Sequence, residues 1–588
     1  MNLRTAEQAQ LTNADCNSVS PVWTPDSKNL IDATDGGRGL GLTAPRRIKR
    51  CSIRHGSHQE AALKRSAQFA DSVRARTPEL EHQPKRWLLP LILLACGIFL
   101  YLQLFIFPAT PRVAIGDQSI YLHNAARMYE GQLIYRDFDY FTLPGTDVLY
   151  FALFKSFGVR AWIPQMMLLL AGIISTWFSI KIAGKVMSGP AVFLPGFLFL
   201  TLPFTSYLDA THHLYNVLAA TAALAVVIEE RTIARLAWAG ALWGLGTCFA
   251  QSLALGPVGL GLFLLWERPR KNEAWAVLVK KEGYLFASYL ATVAAFNAYF
   301  VWKVGLKQFF YYTVTFVAKY FSAYGTNTWR TYMLNWPSPH VWANWPDLAT
   351  WPLIHVLIPL VYILFFVRYW RERRLHPEEP WERLMLINIT GLCLFLSVAS
   401  APAWNRLYTV SLPALIMLVW FLKAPFKLER VLLRVLWAAV LILAIARPIV
   451  TQMRWRAFLD LPTGRTAFFD LSSYQETKWV LERTHPSDYF FGDQLLCFDL
   501  RLRNPSRVAF VTPYDFTRPE EVSNVVQMLD EHQVRFVSWY RGLDDPAAVA
   551  GNHLAPLRRY LQSHYHVAEI FPNGHKIWER DDVTGPSL

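Results

Sequence analysis

Between residues 87 and 449 the sequence breaks into about eleven apolar stretches, and this recurrence restricts the fold more than any other feature. The first, residues 87–107 (WLLPLILLACGIFLYLQLFIF), carries no charge. A helix of that length, at about 1.5 Å per residue, spans about 30 Å, the thickness of bilayer hydrocarbon. Backbone exposed to lipid must satisfy its own polar groups, so such a run is helical. The others are residues 161–182, 190–207, 214–228, 236–250, 252–266, 284–302, 351–367, 384–400, 407–422 and 431–449. Several are short for a full span, and residues 236–266 have the length of a tight or re-entrant hairpin. Composition agrees, because 53% of the 588 residues are hydrophobic and 17% charged, a balance that soluble domains rarely show. The sequence predicts a polytopic α-helical membrane protein with about eleven transmembrane helices in residues 87–451.

The formal charge of +14 would suit a nucleic-acid partner. The basic residues, however, gather in an N-terminal arm and in short loops between apolar stretches, where positive-inside topology explains them, so a nucleic-acid partner is excluded. The arm, residues 1–86, is polar and without apolar periodicity; it is expected to be mostly disordered and cytoplasmic, and its first thirty residues hold no apolar core for a signal peptide. Lys181, Lys185, Arg231, Arg235, Arg268, Arg270 and Lys271 fall in loops on the arm's side. Of the opposite short loops, 208–213 has no Lys or Arg and 401–406 has only Arg406. Three segments are thereby expected to face outward together: 108–160, 303–350 and 452–588. The arm is thereby expected on the cytoplasmic face of the membrane and the C-terminus on the outer face.

Residues 452–588 change character. Short apolar runs at 489–492, 508–512, 534–540 and 576–579 read as strands, and 519–532 and 554–564 as helices, which together predict a small extracytoplasmic α/β domain. It has no phosphate loop, so no cofactor is assigned. Residues 303–350 are dense in aromatics, read as an interfacial belt. The six cysteines show no CxxC or Cys/His spacing, and no zinc site or disulfide framework follows.

The candidate chemistry lies in residues 116–144, GDQSIYLHNAARMYEGQLIYRDFDYFTLP, the most acid-bearing stretch between the first two apolar segments. A carboxylate just outside a bilayer suits a general base, and Asp117 is the candidate. Asp is equally a preferred helix N-cap, and capping of residues 118–130 would also account for Asp117. Asp137 and Asp139 have a DxD spacing that can hold a metal; three residues are a frequent accident, and both are kept as substrate-binding candidates with no metal assigned.

Asp117 followed by Tyr121, then EGQLIYRDF, Pro144-Gly145, Phe157-Gly158 and Arg160 at the next helix, resembles the type C glycosyltransferase superfamily, in particular the protein O-mannosyltransferases and lipid A aminoarabinose transferases. The resemblance implies a membrane glycosyltransferase that moves a sugar from a polyprenyl-phosphate donor to a lipid, protein or polysaccharide acceptor at the outer face, with inversion and with Asp117 as base. A leaving phosphate needs cations or donors. Arg160, His213 and Arg406 stand at outward helix ends where they could serve, although both arginines could equally snorkel to headgroups. Two positions depart from the pattern: Gln118 replaces an acid, and Leu143 stands where relatives carry a lysine. A transporter or flippase of lipid-linked glycans and a non-catalytic scaffold are the alternatives. Transporters, however, tend to place ionisable groups at mid-membrane, and here the acids gather in loops.

Overall fold

The computed structural model describes residues 18–23, 29–34, 47–52, 87–323, 327–333, 345–399, 401–422, 429–514, 516–544 and 552–581. The chain divides into two compact units, Met1–Gln83 and Pro84–Leu588. In the first, strands Ser18–Trp23, Asn29–Thr34 and Arg47–Ser52 pair antiparallel in that order. At those positions the arm has regular structure where disorder was expected. Each strand contains β-branched residues (Val19 and Val22, Ile31, Ile48) that a composition averaged over the whole arm conceals. The remaining residues of the arm lie outside the described ones.

In the second unit each expected apolar stretch falls on helix. Among the described residues four helices are long and apolar enough to cross a membrane: Trp162–Ala183, Trp275–Val304, Leu348–Glu372 and Val431–Met453. Leu88–Leu104, Leu194–Phe204, His212–Val227 and Leu412–Leu422 are apolar but shorter. Large apolar side chains such as Leu290, Trp302, Ile442 and Ile445 point away from the protein, as a surface solvated by lipid requires. Helix Ile233–Phe249 turns through Gln251–Ala254 directly into Leu255–Glu267, the hairpin that the sequence spacing implies. Gly240 and Gly244 lie one turn apart against Trp275–Val304, and a Cβ on Gly240 would collide with the Leu285 carbonyl. Small residues at this spacing let two helix backbones approach closely, the packing device of membrane helices.

One end of the bundle is tied by charge. Arg231 and Glu267, both buried, form an ion pair; Lys271 joins Glu267 at 2.8 Å, and Glu382 reaches Arg231 at 3.1 Å. At the other end three segments distant in sequence meet: the loop after the first helix, the aromatic segment beginning at Leu306, and the C-terminal region. Val113 N–H donates to the Ala467 carbonyl at 2.9 Å, Arg127 Nη2 to the Ser506 carbonyl at 2.9 Å, and Asp139 N–H to the Arg507 carbonyl at 2.8 Å. Tyr311 bonds Arg518, and Tyr312 bonds Asp139. The C-terminal region therefore packs within the same compact unit as the helices and does not stand apart as a separate body.

That region is α/β. Its four-stranded sheet has the order Tyr565–Ile570, Lys576–Arg580, Phe536–Trp539, Phe490–Phe491, antiparallel except for the last pair. Helices Pro519–Glu531 and Ala555–His564 occur close to where the sequence places them, whereas the hairpin Ala457–Leu461 with Gly464–Phe468 and the helix Leu471–Leu481 were not anticipated. Residues 508–512, expected as a strand, form a loop. Asn504 Nδ2 donates to the carbonyls of Val508 and Ala509, and Thr517 Oγ1 accepts from Thr512 N–H, so side chains occupy the groups a ladder would need.

The aromatic segment also departs from a simple belt. It winds from Leu306–Phe310 through a π-helical stretch, Tyr311–Phe316, and buries Tyr312 and Phe316 inside the protein. Trp336 and Trp342, counted in the belt from sequence, lie outside the described residues.

Candidate active site

Helix Gln118–Tyr129 begins directly after Asp117, the N-cap position, yet Asp117 makes no side-chain capping hydrogen bond. The capping explanation for this aspartate therefore fails. The helix start is instead met from another loop: Asp209 Oδ1 accepts from Gln118 N–H at 3.0 Å. Gln118 returns the contact, its Oε1 accepting from Ala210 N–H at 3.0 Å. The departure at this position thus has a physical reason. A fully buried amide serves a backbone donor where a carboxylate would add a third acid beside Asp117 and Asp209. Gly116 makes the approach possible. Its φ of +68° suits glycine, and a Cβ there would strike the Tyr207 hydroxyl and stand 3.1 Å from Asp209 Oδ2.

Asp117 lines a cavity of about 710 Å³ at the end of the bundle where the three segments meet. Of the residues singled out from sequence, Tyr121, His213 and Arg406 line it too. Tyr121 Oη shares a 2.5 Å hydrogen bond with Nδ1 of His212, whose ring lies 3.8 Å from that of His213, centroid to centroid. Arg406 is held by its own neighbours: Nη1 donates to the Ala401 carbonyl and Nη2 to Asn327 Oδ1, each at 3.0 Å, and Phe321 lies beneath the guanidinium. Burial raises the Asp117 pKa above the usual carboxylate range, against the pull of the Arg406 charge. Asp209 is raised well above that range, first by burial and then by the negative charge of Asp117. Asp117 thus shares the cavity with the Arg406 cation, while Asp209 lies buried behind it. One of the two carboxyls is easily kept ionised by Arg406 while the other holds a proton.

The structure separates the remaining candidates from this cavity. Asp137 accepts from Leu133 N–H at 2.7 Å and pairs with its neighbour Arg136, which closes a local turn. Asp139 turns to Arg507 at 2.8 Å and to Tyr312, joining the loop to the C-terminal region beside a second, small cavity of about 50 Å³. The two carboxylates of the DxD sequence therefore serve different partners. Arg160 is exposed at the start of helix Trp162–Ala183, where the next residue's N–H meets the Thr463 carbonyl, and it does not line the cavity.

Sequence reasoning missed Asp209 and the contribution of the C-terminal region, whose Gln494, Phe510 and Phe516 form part of the cavity wall. The pairing of Asp209 with Asp117 spans 92 positions, and no local pattern encodes it. The signal within reach was the single acid in the otherwise uncharged outward loop 208–213.

The arrangement of helices, first loop and C-terminal region is the type C glycosyltransferase fold. Among solved structures the chain is similar to ArnT from Cupriavidus metallidurans bound to undecaprenyl phosphate, with a TM-score of 0.52 and 13% identity over 86% of this chain and 100% of that one. The apo state of the same ArnT gives a TM-score of 0.51 at 13% identity, covering 83% of this chain and 97% of that one. The oligosaccharyltransferase AglB from Archaeoglobus fulgidus aligns with a TM-score of 0.47 at 12% identity, covering 85% and 75%. No protein-family profile matches the sequence, and no curated protein does.

Proposed function

We propose that this chain is an inverting membrane glycosyltransferase that moves a sugar from a polyprenyl-phosphate donor to an acceptor at the outer face of a bacterial inner membrane. The observation that carries the reading is the placement of Asp117 with Tyr121, His213 and Arg406 around one cavity at the end of an apolar helix bundle, with Asp209 buried behind Asp117. The ArnT to which the fold is similar was solved with undecaprenyl phosphate bound, which supports the lipid-phosphate class of donor.

The chemistry follows from the geometry. An acceptor hydroxyl oxygen attacks the anomeric carbon, the bond from that carbon to the phosphate oxygen breaks, and the hydroxyl proton passes to Asp117. Attack opposite the leaving group inverts the centre. Arg406 stabilises the charge gathering on the departing phosphate, and the Tyr121 and His212 pair with His213 supplies further donors. Asp209 keeps the loop in register by accepting from the Gln118 N–H at the start of helix Gln118–Tyr129, and burial against the Arg406 charge sets the pKa of the base. Gln494, Phe510 and Phe516 close the side of the cavity contributed by the C-terminal region, where we place the acceptor. The expected topology, with residues 1–86 cytoplasmic and residues 452–588 outside, presents this cavity to the periplasm.

The test is transfer by the purified full chain in lipid nanodiscs, supplied with a series of polyprenyl-phosphate sugars and an envelope extract as acceptor. Sugar incorporation that is lost in Asp117→Asn, with donor binding retained, supports the reading. Donor carried across sealed vesicles without cleavage would replace it with the flippase.

A further inference from the structure

Behind the cavity wall, on the buried side of the helix that carries Tyr121, lies a carboxyl group that the proposed reaction does not use. Asp147, in helix Gly145–Phe157, is completely buried, and so is its neighbour Asn124 in helix Gln118–Tyr129. Asn124 Nδ2 donates to Asp147 Oδ1 at 3.0 Å. The other two polar atoms, Asp147 Oδ2 and Asn124 Oδ1, are both buried with no hydrogen-bond partner. With the carboxyl ionised, both are acceptors and neither can satisfy the other. A proton on Oδ2 makes it a donor, and the amide oxygen is then its complement. Each isolated orphan would be costly in so dry a place; together they are the two halves of one missing bond.

We propose that Asp147 is a neutral carboxylic acid joined to Asn124 by two hydrogen bonds, and that this acid–amide pair is the positioning device that fixes the helix bearing Asp117 and Tyr121. The surroundings favour the neutral form. Burial raises the Asp147 pKa to about 8, only partly offset by the Asn124 donor and its own backbone N–H. The titratable groups coupled to it are Tyr121, Tyr135 and Tyr140, whose phenols its charge would push up, and none of them is a cation. From the third element packed here, helix Ile233–Phe249, the Cys248 backbone lies against Gly145 and the Cys248 thiol acts on Tyr135. Among the described residues no Lys, Arg or His acts on the Asp147 carboxyl. Ionisation would leave a charge facing three phenols and an amide oxygen, and the contact between the two loop helices would open.

The decisive measurement is infrared difference spectroscopy on the full chain, wild type against Asp147→Asn, with no substrate present. The expected result is a carbonyl band of a protonated carboxylic acid at neutral pH, absent from Asp147→Asn, that disappears as pH rises through about 8. In Asn124→Leu the band should move to higher wavenumber, because the carbonyl has lost its donor. No protonated-acid band assignable to Asp147 at neutral pH, or a band unmoved by Asn124→Leu, overturns the pair.

A kinetic arm rests on the proposed transferase reading, and its failure does not touch the spectroscopic one. Asp147→Asn, which can still pair with Asn124, should keep kcat within about twofold at neutral pH, whereas Asp147→Leu should lose about tenfold or more with little change in donor KM. The wild type should lose activity about tenfold per pH unit above the Asp147 pKa, and Asp147→Asn should not. Equal losses in the two variants, or an alkaline limb that survives in Asp147→Asn, would remove the positioning role.

Discussion

The two ends of the helix bundle each bury charge, and they do so in opposite ways. At one end Glu267 is met directly by Arg231 and Lys271, and Glu382 closes the group, so each carboxylate contacts a cation. At the other end Asp117 and Asp209 lie side by side, and the nearest opposing charge, Arg406, is committed to Ala401 and Asn327. The first arrangement minimises electrostatic energy and leaves nothing for a substrate to do. The second buries two carboxyls together behind and beside a cavity, so that one gives up its charge, an arrangement that costs stability and perturbs both groups as functional sites do.

Substitutions at the two ends should therefore separate cleanly. The largest effect is expected for Asp117→Asn, which should lower transfer about a thousandfold or more while thermal unfolding barely changes; comparable activity in that variant would place the base elsewhere. Glu267→Ala should do the reverse. It leaves the buried Arg231 with only the half-exposed Glu382 as a partner and should cost about 3 kcal/mol of stability, read from denaturant unfolding, with kcat per folded molecule intact. Asp209→Asn weakens the contact with the Gln118 N–H, so kcat should fall about tenfold to a hundredfold, while the acid limb of the pH profile, set by the burial of Asp117 against the Arg406 charge, should stay where it is. The sign is fixed by the mechanism: Asp117 works ionised, so activity rises as pH climbs through its raised pKa. The smallest effect is expected for Asp139→Asn, whose partner Arg507 is partly exposed; a loss of about 1 kcal/mol or less and unchanged kcat would confirm Asp139 as an anchor.

A second pH effect belongs to stability. Asp147 binds its proton more tightly folded than unfolded, so its contribution to stability declines as pH rises from about 4, the ordinary carboxylate value, through about 8. A melting temperature that falls across this window in the wild type and less in Asp147→Asn would register it.

The helices were legible in sequence because lipid leaves a chain few options, and long uncharged runs such as residues 87–107 declare themselves. Asp117, Tyr121, His213 and Arg406, which line one cavity, drew notice in the sequence because each stands where a polar residue interrupts an apolar pattern. Asp137 and Arg160 were misplaced for the same reason: a charge at a helix end looks alike in sequence whether it faces a cavity, a neighbouring arginine or solvent. Asp209 was passed over because its meaning comes from Gln118, far away in the chain. The strand expected at residues 508–512 failed because apolar alternation says nothing about Asn504, which claims the carbonyls.

The threads that join Arg127 to Ser506 and Asp139 to Arg507 bear on how the protein is made. The acid-bearing loop leaves the ribosome early, yet some of the residues that hold it in place come from the last fifth of the chain. A nascent polypeptide has the partners to join Gln118 to Asp209 and Tyr121 to His212 early, but gains a finished cavity wall only when translation has passed residue 516.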